Sequence, residues 1–283
     1  MTQHIEGLIL QISRYSNFHL FLLLAGMGAG KDFVGKLLQE YGSVSFHHLS
    51  CSAAIRRRAK ESGPVGDACA AAEEKMKCAE MVEDELATVV VLEWILQRLQ
   101  AGVRTFLLDG FPRNDLQFAV LRRLEELKGT HVIARSILLC QPFGICLAQV
   151  LGQRRKELCR ADDNITTFLH RWHHQFLGET VPMIKAIRNW DPKRFAVVQQ
   201  TDLEKVLEVA RIVGYQGVQM ERLKASLIHL RSFQRLPFES DPAATVAFVE
   251  KLTPAPTRDQ LEHVASLARS DGLDYFRHLP KVA

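Results

Sequence analysis

Apolar positions run through this chain with two periods. Short uninterrupted runs, such as Phe21-Leu22-Leu23-Leu24 and Phe106-Leu107-Leu108, are too dense for half-exposed strands and read as strands buried on both faces. Longer segments space their apolar residues every three to four positions, as amphipathic helices do. On this basis strands are predicted near 20–25, 44–48, 105–109, 134–140 and 194–199. Helices are predicted near 31–40, 52–61, 68–78, 83–101, 115–127, 142–155, 162–188 and 202–213, with a short amphipathic lead-in at 4–17. Such alternation implies a parallel sheet covered on both faces, with ligands at the carboxyl ends of its strands.

The pattern changes after Gly214. Met220, Leu223, Leu227, Leu230 and Phe233 fall on one helical face, and a break follows at Pro237 and Pro242. A second helix is expected over 243–252. Thr257 and Gln260 have capping-box spacing for a third, which Gly272 would stop. The expected organisation is a lead-in at 1–18, one α/β domain at 19–213 and a small helical extension at 214–283. The extension is either a cap on the core or a dock for a protein partner.

Composition narrows the classes. A hydrophobic content of 47% is globular, and a net charge of +4 argues against a general nucleic-acid binder. The longest apolar stretch, Leu86 to Leu96, is interrupted by Glu93 and falls short of the ~20 residues of a membrane span. The N-terminus shows no signal-peptide pattern. The six cysteines form no C-x-x-C pair and read as free thiols in a reducing compartment, the cytoplasm.

Two strand ends carry the chemistry. The first strand empties into Ala25-Gly26-Met27-Gly28-Ala29-Gly30-Lys31, a glycine-rich turn whose backbone N–H groups can face an anion. The hydroxyl that usually follows such a lysine is missing, since Asp32 and Phe33 stand there. Taken alone, this is equally a plain strand-to-helix turn. The strand ending at Asp109 continues as Gly110-Phe111-Pro112-Arg113-Asn114-Asp115-Leu116-Gln117. It pairs a metal-binding carboxylate with a guanidinium suited to phosphate.

With this second loop the chain resembles the adenylate kinase family of nucleoside monophosphate kinases, of the short-lid type, over about residues 19–213. The resemblance implies a P-loop three-layer α/β/α fold with a five-stranded parallel sheet. It also implies magnesium-dependent phosphoryl transfer from ATP to AMP by an expected monomer with no membrane partner. Other implied acceptors are CMP, UMP or a deoxynucleotide, and a nucleotide-binding module with weakened catalysis is a further alternative.

Residue by residue, the resemblance puts ATP on Gly26, Met27, Gly28, Ala29, Gly30, Lys31, Asp32 and Phe33, with Gln153 and Arg154 from the lid side. It puts magnesium on Asp109 through water. The acceptor falls to a segment at about 49–85 that includes Ser50, Cys51, Arg56, Met81 and Val82, together with Gly110, Arg113 and Gln117. Gln117 stands where adenylate kinases read the adenine edge, whereas Asn114 is common in pyrimidine-specific relatives. Arg160 and Arg171 match arginines on the transferring group, and Asp162 and Asp163 match carboxylates that latch a short lid at about 154–160. The departures are Ala53 for aspartate, Cys51 for threonine, and Gln149 and Gln153 where two arginines are usual.

Overall fold

The computed structural model describes residues 2–42, 46–78, 80–152, 164–200, 203–231, 241–252 and 255–269. Five parallel strands form one sheet: β1 (His19–Leu24), β2 (Phe46–Ser50), β3 (Thr105–Asp109), β4 (Ile133–Leu139) and β5 (Phe195–Val198), in the order β2-β3-β1-β4-β5. Each lies within two or three residues of its predicted position. Leu20, Leu22, Leu23, Phe106, Leu107, Leu108, Ile137 and Leu138 are fully buried, as strands covered on both faces require.

The order of strands places the helices. The connection from β1 to β2 runs across the sheet in the opposite sense to every later one. Right-handed crossovers therefore put α2 (Lys31–Tyr41) on one face and α5 (Asp84–Gln100), α6 (Asp115–Lys128) and α9 (Val181–Trp190) on the other. The first face also holds α10 (Glu204–Ile212) and α11 (Gly217–Arg231), which pack on α2 and on each other. Between β2 and α5 lie α3 (Cys51–Arg58) and α4 (Pro64–Lys77).

The lead-in forms α1 (Thr2–Ser13) and is part of the core. It buries Ile5, Leu8, Ile9 and Ile12 and packs on α5 and α6. Lys128 clamps its end by donating to the carbonyls of Ser13, at 3.4 Å, and Tyr15.

Two predicted helices differ in extent. The segment expected at 142–155 forms α7 (Phe143–Leu151). The segment expected at 162–188 is three pieces: α8 (Ile165–His170), a ten-residue π-helical stretch (Arg171–Thr180) and α9. Asn164 caps α8, its side chain accepting from the Thr167 amide at 3.0 Å. Pro182 lacks the N–H that would close an α-turn on Gly178, and Gly178 is itself a poor helix former, so the turns there can widen. A π-helical turn is a property of tertiary context that apolar spacing does not report.

The extension forms α11, α12 (Pro242–Val249) and α13 (Arg258–Arg269). Met220, Leu223 and Leu227 are buried as their common face requires. The side chain of Leu230, the whole of Phe233 and the expected stop at Gly272 lie outside the described residues. The capping box is formed: the Gln260 amide donates to Thr257 Oγ1 at 3.2 Å, and the Thr257 amide to Gln260 Oε1 at 2.9 Å. Helix α12 packs on α7, where Thr245 occupies the space a side chain at Gly144 would need, and α13 packs on α7 and α8. Among the described residues no helix is long and apolar enough to cross a membrane.

Candidate active site

The register of the sheet aligns three strand ends. Asp109 pairs with Leu23 on one side and Ser50 on the other, so the loops after β1, β2 and β3 leave the sheet together. Beside β1 the strand order reverses its direction of growth, which is where open α/β sheets form a crevice.

The loop after β1 curls through left-handed backbone at Gly28 (φ 75°) and Gly30 (φ 84°). Gly28 has a second constraint. A Cβ there would lie 2.2 Å from the Cys146 carbonyl oxygen, so α7 packs directly on the loop. At Gly26 a Cβ would reach Trp172 at 2.8 Å. Lys31 folds back inside the loop, its Nζ donating to the Ala25 and Gly26 carbonyls at 3.0 Å each. Burial pulls its pKa below the usual lysine range; Asp109 pushes it back up, while Arg113 lowers it further. Buried Lys205 of α10 reaches under the same loop and donates to the Ala29 carbonyl at 3.0 Å. Met27, Asp32 and Phe33 complete the turn, with Asp32 exposed and paired to Lys36 at 2.6 Å.

The loop after β3 is held mainly by its own side chains. Arg113 Nε donates to the Gly110 carbonyl at 3.1 Å, and Nη1 approaches Met81 Sδ at 3.9 Å. Gln117 is buried. Its Oε1 accepts from the Arg113 amide at 2.8 Å, and its Nε2 donates to Asp84 at 2.8 Å. Asn114 donates to the same carboxylate oxygen at 2.7 Å. One N–H and one lone pair of the Gln117 amide are left over from these bonds.

From β2, Ser50 Oγ lies 3.3 Å from Ser52 Oγ, and Cys51 is buried at the start of α3. Desolvation raises the Cys51 thiol to about 11, against the opposing pull of Arg113, so it is a neutral thiol at pH 7. None of the five described cysteines is in a disulfide.

These pieces meet in a cleft of about 180 Å³. Lys31, Arg56, Arg113 and Arg171 line it together, with Gly110, Met27 and Ser52. Met81 and Val82, both half-buried, stand just before α5. Arg171, at the start of the π-helical stretch, reaches across to donate to the Met76 carbonyl at 2.9 Å. Gln153, Arg154, Arg160, Asp162, Asp163 and the expected lid lie outside the described residues. Gln149 stays beside the glycine loop, its Oε1 3.8 Å from the Cβ position of Gly30.

Sequence reading missed several residues here. Gln175, Phe176 and Thr180 line the cleft because the π-helical stretch presents them there, and Met76 and Glu80 reach it from the end of α4. The Trp172/Phe176 spacing was available as a signal for one helical face. Lys205, 176 positions from its partner Ala29, had none.

No family model matches the chain. Among curated proteins, an adenylate kinase of Synechococcus sp. (strain RCC307) is 33% identical over 167 residues, 59% of this chain and 82% of that protein. An adenylate kinase of Prochlorococcus marinus (strain MIT 9211) is 31% identical over 164 residues, 58% of this chain and 80% of that protein. UMP-CMP kinase 3 of Arabidopsis thaliana is 27% identical over 168 residues, 58% and 74% of the two chains. With the parallel sheet and the two strand-end loops already described, this similarity means that the chain belongs to the adenylate kinase family of nucleoside monophosphate kinases.

Proposed function

We propose that the chain transfers the terminal phosphoryl group of ATP to AMP, giving two ADP, in a magnesium-dependent reaction. The observation that carries this reading is the convergence of Lys31, Arg56, Arg113 and Arg171 on one cleft. Phosphoryl transfer needs alignment and positive charge around the moving group, and little covalent work from the protein. In this reading the backbone amides of 26–31 and Lys31 cradle the donor phosphates. Arg56 and Arg113 hold the acceptor phosphate. Arg171, with Arg160 from the lid, neutralises charge on the group in transit. The acceptor phosphate is already ionised at neutral pH, so no side chain has to take its proton. The buried carboxylate of Asp109 suits a hydrated divalent cation, and magnesium bound near it through water would screen the charge of the donor phosphates.

The acceptor base rests on Gln117. Its remaining N–H and lone pair match the adenine edge, which supports AMP. Its bond to Asp84, the neighbouring Asn114 and the similarity to a UMP-CMP kinase favour a pyrimidine acceptor as the second reading. Incubation with ATP, magnesium and each monophosphate in turn separates them. The expected result is ADP formation with AMP as the preferred acceptor, and Gln117→Asn should narrow the preference for AMP over CMP. Preferred use of CMP or UMP would replace the first reading by the second.

The organisation that accompanies this function is a kinase domain over 19–213 carrying an extension that caps it. Burial of Met220, Leu223, Leu227, Val249, Val264 and Leu267 supports a cap over a protein dock. A monomer in the cytoplasm is proposed on the same footing, the absence of disulfides among the described cysteines being compatible with a reducing compartment.

A further inference from the structure

Beside the glycine loop, three side chains with metal-ligating atoms converge. Asp32, His48 and Asp109 each offer one such atom, and the three atoms lie within 4.8 Å of one another. His48 and Asp109 are both more than nine-tenths buried. His48 Nε2 has no hydrogen-bond partner among the described residues and lies 3.7 Å from Asp109 Oδ2. That separation is too long for a hydrogen bond. It suits two ligands of one ion, because ligands each about 2.1 Å from a cation can stand up to about 4 Å apart.

Both the backbone and the ring of His48 are placed against α2. The His48 amide donates to Gln39 Oε1 of α2 at 2.9 Å. Gly35, also on α2, has no side chain where one would press within 2.3 Å of His48 Cδ2 and Nε2. Buried polar atoms normally have partners, so an orphaned imidazole nitrogen aimed at a carboxylate calls for an occupant. Asp32 supplies the third ligand at the position after Lys31, where the usual loop carries a hydroxyl that binds the metal of the nucleotide. Its present partner, Lys36, forms an exposed pair with it, and such pairs contribute little.

We propose that Asp32, His48 and Asp109 form a site for a first-row transition-metal dication that binds without nucleotide. One imidazole and two carboxylates suit such an ion better than magnesium, which prefers an all-oxygen shell and gives up its water reluctantly. The inference deepens the kinase reading and rests on it, since the ion would stand where the donor phosphates are expected.

Manganese is the probe, because it has little affinity for the free thiols and surface histidines that would capture zinc. Its free aquo-ion gives a paramagnetic resonance signal that is lost on binding. Titrated into the full chain without nucleotide, one manganese should bind per chain and resist an equal concentration of magnesium. His48→Gln should weaken that binding by at least the about 10–100-fold that loss of an outer partner costs a metal site. Asp32→Asn, on the surface and safe for folding, should weaken it too, while Lys36→Ala should not. Manganese that binds only when ATP is present, or binding untouched by both His48→Gln and Asp32→Asn, would overturn the site. The titration contains no nucleotide and no phosphoryl transfer. A silent titration beside an active kinase therefore sinks this inference alone, and an inactive enzyme that still binds manganese sinks the kinase reading instead.

Discussion

The loops after β1 and β3 end neighbouring strands and face one cleft, yet they are built differently. The β3 loop is largely closed on itself: Arg113, Asn114 and Gln117 bond to Gly110, to each other's backbone and to Asp84 at the foot of α5. The β1 loop leans on distant chain. Lys205 supports it from below, Cys146 presses on Gly28, and Trp172 lies against Gly26. A self-contained loop can be carried by a short motif. A loop propped by other elements can change its own residues, as at Asp32 and Phe33, while the props keep its shape.

The largest effect is expected on the β3 side. In the proposed reaction Arg113→Ala leaves Arg56 alone on the acceptor phosphate, and phosphoryl transfer to AMP should fall on the order of 10³–10⁵-fold in steady-state assays of the folded variant. An unchanged rate would mean that the self-contained loop is only structural.

This contrast also explains what could be read in advance. Leu22, Leu23, Leu107 and Leu108 are apolar because both sheet faces are covered, so the strands were visible as runs. Asp109 through Gln117 was visible because its contacts are short in sequence. Lys205 and His48 were not, since a lysine on a helix and a histidine in a strand carry no signal until the fold brings them beside the glycine loop. The π-helical stretch was read as ordinary helix because its apolar spacing resembles one, and this hid Gln175 and Thr180 from the cleft.

The β1 side should respond to remote damage that the β3 side ignores. Leu223 is fully buried on α11, which packs on α2, the helix that follows the glycine loop. Leu223→Ala should cost about 2–5 kcal/mol. Thermal melts should show a lower midpoint, and turnover per folded molecule should persist. An unchanged midpoint would mean that the extension does not brace this half.

A smaller effect concerns β2, which leads into α3 and so to Ser52 and Arg56 of the cleft. Burial, assisted by Arg98, His48 and Arg57, lowers the pKa of its His47 from 6.5 to about 4. The folded state thus binds this proton less readily than the unfolded chain. The stability tied to neutral His47 is present above pH 6.5 and is lost as the pH falls toward 4. His47→Gln should flatten the melting temperature between pH 7 and 4.5. A variant with the same acid sensitivity as the parent would show that other groups govern this range.

In the proposed reaction one cleft passes phosphate from donor to acceptor while keeping water out. Phosphorus resonance on the full chain with ATP, AMP and magnesium tests it directly. ATP and AMP should fall together, and two ADP should appear for each AMP consumed, with no inorganic phosphate. ADP formed with an equal amount of inorganic phosphate and unchanged AMP, or no reaction at all, would contradict it.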